Sequence, residues 1–422
     1  MFTKFKPSTH APLFHNGPWP AGTEIDLITI PGLPPVSIDL TACGFCGGMA
    51  FLARDIFESG TPQLRGTTSA QIPLALSKLI LHRLIDSFSG TGVVPRWLNA
   101  TSEPDHGTVV WGPGLFAQTV ADCAFIMSEI DAGRPCPIGV VLVQSAAPWD
   151  VFQNHVELVY GYELDGGNLT LHVYDSNANG TWLVGGVPYI DTITIQLDIS
   201  TPTPAKTIST NGTHGTTAGT IRGFFPLPYT HADPSAAYID DGVVTVSAPV
   251  PAQMPAGATA PVSVTVTNTG STTWSDGANY HLGSQSPQDN ATWGIARVPL
   301  PAPLDPQQSK VLAFSAHAPG TAGSYGFAWQ MVHDGVHWFG TTTPTSSIAV
   351  GASGGACDAL HQQHVDLAQQ LTEAQDELAE VDWSDPVTAR HEAAPLAALV
   401  RSLQTQIVQL EAQQKASGCA PG

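Results

Sequence analysis

The sequence predicts a multidomain chain of three parts that differ in fold class: an α+β domain, an all-β sandwich and a C-terminal α-helical hairpin. Three observations predict this. The length of 422 residues exceeds what one hydrophobic core usually serves. The first part runs helical patterns before strand patterns, the order of an α+β fold. Further on, the hydrophobic period shortens to that of strands and then lengthens to a heptad, which places the domains at 1–240, 241–351 and 357–419.

In the first domain, Met49, Leu52, Ala53 and Ile56 form a helical stripe over 46–57. Helical patterns follow at 72–88 and 115–130, and strand patterns at 138–144, 156–162, 169–174 and 192–197. Asp165-Gly166-Gly167-Asn168 supplies a tight turn, so the strands on either side of it pair as a hairpin. A Thr- and Gly-rich loop at 200–220 precedes a late strand at 221–225.

In the second domain, Val262-Ser263-Val264-Thr265-Val266 alternates as a half-buried strand, and Asn268-Thr269-Gly270 turns after it. Strands at 310–316, 325–332 and 347–350 complete a sandwich pattern. In the third, Leu360, His364, Leu367, Leu371, Ala374, Leu378 and Val381 make a heptad seam. Asp385-Pro386 offers an N-cap and a first-turn proline for a second helix, with a seam through Leu396, Val400, Leu403, Ile407 and Leu410. Two antiparallel helices of similar length bring Cys357 and Cys419 together for a disulfide. Whether the seam closes within one hairpin or pairs with a second copy stays open, so an oligomer through the hairpin stays open too.

Composition narrows the partners. Lys and Arg number 15 against 35 Asp and Glu, a formal charge of −20 with no basic cluster, so neither nucleic acid nor an anionic membrane surface is an expected partner. No apolar run approaches the roughly 18 residues of a membrane span. Residues 1–20 carry charges and prolines where a signal peptide needs an apolar stretch. The expected Cys357–Cys419 clasp points to oxidising surroundings instead, which leaves both cytoplasm and export by a non-standard route open.

The six cysteines, at 43, 46, 123, 136, 357 and 419, are too few for a disulfide scaffold, and Cys43 and Cys46 lack the second Cys-x-x-Cys that zinc needs. Cys123 falls on a helical stripe as a core thiol. His333 with His337, and His361 with His364, have no clustered cysteine or carboxylate beside them. No metal and no cofactor is assigned.

A thiol becomes a strong nucleophile as its thiolate, which needs a positive field. The N-terminus of a helix supplies one and an imidazolium supplies the rest. Cys46 at the start of the helical stripe meets the first condition, and Gly47 and Gly48 would let a substrate carbonyl approach the backbone. His155 opens a strand and can take and return the proton, while Asp175 closes the next strand of the same hairpin and can hold the ring in one tautomer.

Cys43-Gly44-Phe45-Cys46 resembles the papain pattern Cys-Gly-Ser-Cys, whose second cysteine is catalytic. The His155-led strand ending in Gly161-Tyr162 and the strand ending in Asp175 resemble the base and orienting segments of that superfamily. Tyr174-Asp175-Ser176-Asn177 is similar to the Tyr-Asp-Pro-Asn of its bacteriocin-leader peptidases. The resemblance spans roughly residues 30–230. It implies a papain-like fold and a peptidase or amidase that acts on a peptide or protein through Cys46, His155 and Asp175 without a cofactor. Cys43 remains the alternative nucleophile, because its Cys-Gly also fits the leader-peptidase pattern.

The family's usual Gln six residues before the nucleophile is Leu40 here, and counting from Cys43 gives Ser37. Ser37 and Thr41 are the candidate oxyanion donors, and losing one such donor costs about 10² to 10³ in rate. Two other readings stand beside hydrolysis. One is a non-catalytic scaffold with a degenerate papain-like domain, and the other a cysteine acyltransferase of transglutaminase type.

Trp274, Trp293, Trp329 and Trp338, with Pro319-Gly320, Gly323-Ser324-Tyr325 and Phe339-Gly340, resemble the four-tryptophan Ig-like domain of autophagy cargo receptors and bacterial multidomain proteins. That resemblance implies a protein partner, although tryptophans also serve to fill a sandwich core.

Overall fold

In the computed structural model, which describes residues 1–23, 44–66, 68–109, 112–178, 183–200, 207–212, 219–351, 356–381, 386–417 and 419, the first helical stripe forms α1, Cys46–Ser59. Every residue of α1 from Cys46 to Ile56 is buried, and Gly60 ends the helix in the left-handed region (φ 64°), its N–H on the Ile56 and Phe57 carbonyls. Next come α2, Leu74–Ser87, α3, Val93–Ser102, and α4, Gly114–Asp131.

The sequence reading did not anticipate α3. Pro95 sits in its first turn, where a missing N–H leaves no helical bond unmade, so the proline does not break the helix. Val93, Val94, Trp97 and Ala100 bury its inner face.

Strands β1, Cys136–Val141, β2, His155–Asp165, β3, Asn168–Tyr174, β4, Thr194–Asp198, β5, Ile208–Thr210, β6, Thr220–Ile221, and β7, Gly223–Pro226, form one antiparallel sheet. Its order is β6-β5-β4-β3-β2-β1-β7, so the late strand returns to close the edge beside β1. Gly166 takes φ 59° in the two-residue turn between β2 and β3 and fixes their register at Asp165 opposite Asn168. Both α1 and α4 pack on β2, which is buried from His155 to Gly161. These elements belong to a compact unit of residues 1–240 together with 269–273 and 305–307.

A second unit holds 241–268, 274–304 and 308–422. Its strands are β8, Gly242–Ala248, β9, Gln253–Pro255, β10, Thr259–Asn268, β11, Tyr280–Gln285, β12, Arg297–Pro299, β13, Ser309–His317, β14, Gly323–His333, β15, His337–Phe339, and β16, Ser346–Gly351. One sheet runs β8-β10-β13 and the other β9-β16-β14-β11-β12, with β15 paired to β14. Val264 and Val266 of the first sheet and Leu282, Trp329 and Met331 of the second share a core with Trp274 and Trp293. The fourth tryptophan differs. Trp338 is half-buried, with the Arg297 guanidinium 4.8 Å from its ring centroid.

Helices α5, Ala356–Ala379, and α6, Pro386–Ala416, bury Leu360, Leu367, Ala374, Leu403 and Leu410 against each other. Val381 lies past the end of α5, and Asp385 lies outside the described residues. Cys357 and Cys419 are joined by a disulfide, with Cα atoms 5.3 Å apart. The hairpin also docks on β10. Gln406 Nε2 donates to buried Ser263 Oγ at 3.1 Å, and Gln413 Nε2 to the Thr259 carbonyl at 3.1 Å. That docking places the hairpin in the same compact unit as the sandwich, and it explains why Ser263 breaks the alternation of β10. Among the described residues, no helix is long and apolar enough to cross a membrane.

Candidate active site

Cys46 is the first residue of α1 and Phe45 is its N-cap, with no side-chain cap. The first N–H groups of the helix are therefore not tied down by their own cap residue, which keeps the positive end of the helix dipole at the sulfur. Gly47 and Gly48 have a packing role. A Cβ at Gly48 would collide with the Ile80 carbonyl oxygen and one at Gly47 with Ser87 Oγ, so both glycines serve the close packing of α1 on α2.

His155 opens β2 opposite Val140. Asn154 fixes that start: its Oδ1 accepts the Leu142 N–H at 2.8 Å and the Val143 N–H at 3.3 Å, and its Nδ2 donates to Thr101 Oγ1 at 2.9 Å. Asp175 follows the last residue of β3, one step past the Leu158–Tyr174 pair. The ladder shifts by one residue between Val159 and Gly161, and with that shift the end of β3 comes beside the start of β2, where Asp175 Oδ1 lies 2.9 Å from His155 Nε2.

Cys46 lies on the same small cavity as His155 and acts on the imidazole through its charge. Burial works against the imidazolium. The adjacent sulfur, as thiolate, and the Asp175 carboxylate outweigh it and hold the His155 pKa well above the ordinary imidazole range. Cys46 is 8%, His155 5% and Asp175 0% exposed, so their charges interact with little water between them. Cys46 and His155 line one cavity of about 20 Å³ with Gly44, Leu84, Phe88, Trp97 and Asn154.

Glu157 was not singled out in the sequence. It lies two residues along β2, fully buried, and brings a carboxylate oxygen within 4.8 Å of ligand atoms of both His155 and Asp175. One imidazole and two carboxylates so close are a donor set a cation could use. His155 Nε2 is already taken by Asp175, and we assign the cluster no metal.

Of the residues read as functional, Cys46, His155 and Asp175 meet in one site. Ser37, Thr41 and Cys43 lie outside the described residues. Cys123 and Cys136 are free thiols, and burial pushes each up to about 12.

No protein-family model matches the chain, and no curated protein matches it. Among solved structures it is similar to the NMR structure of a CARDB domain from Pyrococcus furiosus, at 17% identity over 28% of this chain and 98% of that one, with a TM-score of 0.21.

Proposed function

We propose that the first unit is a papain-like cysteine hydrolase, a peptidase or amidase, with Cys46 as nucleophile, His155 as general acid and base, and Asp175 as the carboxylate that orients the ring. The observation that carries this reading is one buried imidazole held at Nε2 by Asp175, 2.9 Å away, that shares a cavity with a thiol at a helix N-terminus.

In the reaction, Cys46 Sγ bonds to the carbonyl carbon and the π electrons move to oxygen. As the C–N bond breaks, His155 gives its proton to the leaving nitrogen. Water then loses a proton to His155 and attacks the thioester, the Sγ–C bond breaks, and the acid leaves with the thiolate and imidazolium restored. In this reading the Cys46 backbone N–H is one oxyanion donor, and Ser37 or Thr41 supplies a second in place of the usual Gln. An amine in place of water makes the same thioester an acyltransferase intermediate.

The second reading is a scaffold without turnover, in which Cys46 is an ordinary buried thiol beside His155. In either reading the sandwich serves as an Ig-like module for a protein partner. Half-buried Trp338 beside Arg297 supports that role better than the three tryptophans spent on the core.

Alkylation by iodoacetamide at pH 6, mapped by mass spectrometry, separates the two readings. Cys46 is expected to react well ahead of an ordinary thiol, with Cys123 and Cys136 untouched. A Cys46 that reacts no faster than an ordinary thiol ends the hydrolase reading, and faster labelling at Cys43 moves the nucleophile there.

A further inference from the structure

Asn16 joins the loop before Cys46 to the loop that carries Asp175. Its Oδ1 accepts the Phe45 N–H at 2.5 Å, its Nδ2 donates to Asn177 Oδ1 at 3.0 Å, and its backbone N–H donates to the Ser176 carbonyl at 3.1 Å. Asn177 in turn donates its backbone N–H at 2.9 Å to Asp175 Oδ1, the oxygen that also holds His155. The contacts form a chain that runs from His155 through Asp175, Asn177 and Asn16 to Phe45, the residue before Cys46.

Two further contacts tighten that chain. The Trp19 ring stacks on Phe45 with centroids 4.4 Å apart, so the same N-terminal segment grips Phe45 a second time. At Gly44 there is no slack, because a Cβ there would collide with Asn16 Nδ2. The segment itself is pinned to β2, with the Thr3 N–H on the Tyr160 carbonyl at 2.9 Å and the Met1 amine on the Tyr162 carbonyl at 2.6 Å.

We propose that Asn16 is a positioning residue that sets the sulfur of Cys46 against the imidazole of His155 by tying the start of α1 to the Asp175 loop. The physical need is plain. A Cys–His pair works only within about 0.5 Å of its productive geometry, and α1 and the Asp175 loop come from distant parts of the chain with no cap side chain at Phe45 to fix the helix start. Charge-dipole and hydrogen-bond networks of this kind act as a unit, so one broken arm loosens the rest. This inference rests on Cys46 being the nucleophile.

The test compares alkylation of Cys46 at pH 6 in the full chain, its Asn16→Ala and Asn177→Ala variants, and the double variant. Unlabelled Cys123 and Cys136 serve as the sign that the unit is folded. Asn16→Ala is expected to slow Cys46 by about tenfold or more, Asn177→Ala by less, and the double variant no further than Asn16→Ala alone, since both cut one bridge. A residue that served stability alone would lower the melting temperature and leave this rate in place. Should Asn16→Ala expose Cys123 and Cys136, Asn177→Ala carries the test by itself. Wild-type rates in folded Asn16→Ala, or in Asn177→Ala where that variant alone carries the test, overturn the inference while leaving the hydrolase reading standing. A wild-type Cys46 no faster than an ordinary thiol removes that reading and this inference with it.

Discussion

His155 in the first unit and His281 in the second each hydrogen-bond an aspartate, at 2.9 Å to Asp175 and 2.6 Å to Asp334. The two pairs part company at the second ring nitrogen. That of His281 lies 3.0 Å from Asp276, and Asp334 also accepts from Arg297 at 2.9 Å, so both nitrogens of this ring face carboxylates. Burial opposes the charge on Asp334, but Arg297 and His281 outweigh it and hold the carboxyl below its ordinary range. His155 instead shares a cavity with the Cys46 thiol, at 5% side-chain exposure against 18% for His281. A His–Asp distance therefore does not define a site. Depth, and the presence of a group that can become a nucleophile, do.

The contrast breaks most easily at the rate of Cys46 alkylation. His155→Gln is expected to slow it about 10²-fold or more at pH 6, the scale of losing a general base. His281→Gln should leave it unchanged, and equal rates in the two variants would erase the distinction.

Stability gives a smaller separation. Asp175→Ala strips a partner from a fully buried imidazolium and should cost the first unit about 3–5 kcal/mol. Asp334→Ala, at a site where the side chain is 34% exposed, should cost the second about 1 kcal/mol or less. Urea unfolding of each variant, followed unit by unit, checks both values.

The least of the three effects is in pH. A histidine whose pKa is raised on folding stabilises the fold in full below its ordinary value of 6.5, and that contribution fades as pH climbs through the folded value. The melting-temperature gap between wild type and His155→Gln should accordingly be widest in mild acid and narrow above neutrality. A gap that widens with rising pH would reverse the sign.

Cys46, His155 and Asp175 were legible because local rules place them. A helical stripe begins at Cys46, and a Gly-Gly turn folds β3 back on β2 so that their far ends meet, although the one-residue shift between Val159 and Gly161 left no mark in the sequence. Glu157 was not legible, because in an alternating strand a glutamate reads as solvent-facing, whereas β2 is covered by both α1 and α4 and buries both faces. Asn16 was invisible for another reason. Its three partners lie far away along the chain, and only the folded sheet brings them within reach. Leu360, Leu367, Ala374, Leu403 and Leu410 of the expected seam are buried in the hairpin, but polar Gln406 and Gln413 gave no hint that they reach β10.

The two silent thiols of the first unit have a practical use. With Cys123 and Cys136 pushed up to about 12 by burial, a thiol reagent near neutrality finds almost no thiolate at either while the unit is closed. Each excursion to an open state returns them to the ordinary value of 9.0 and lets them be tagged. The pace at which Cys136 accumulates label is thus a stopwatch for breathing of the sheet, carried by the native chain with no dye attached.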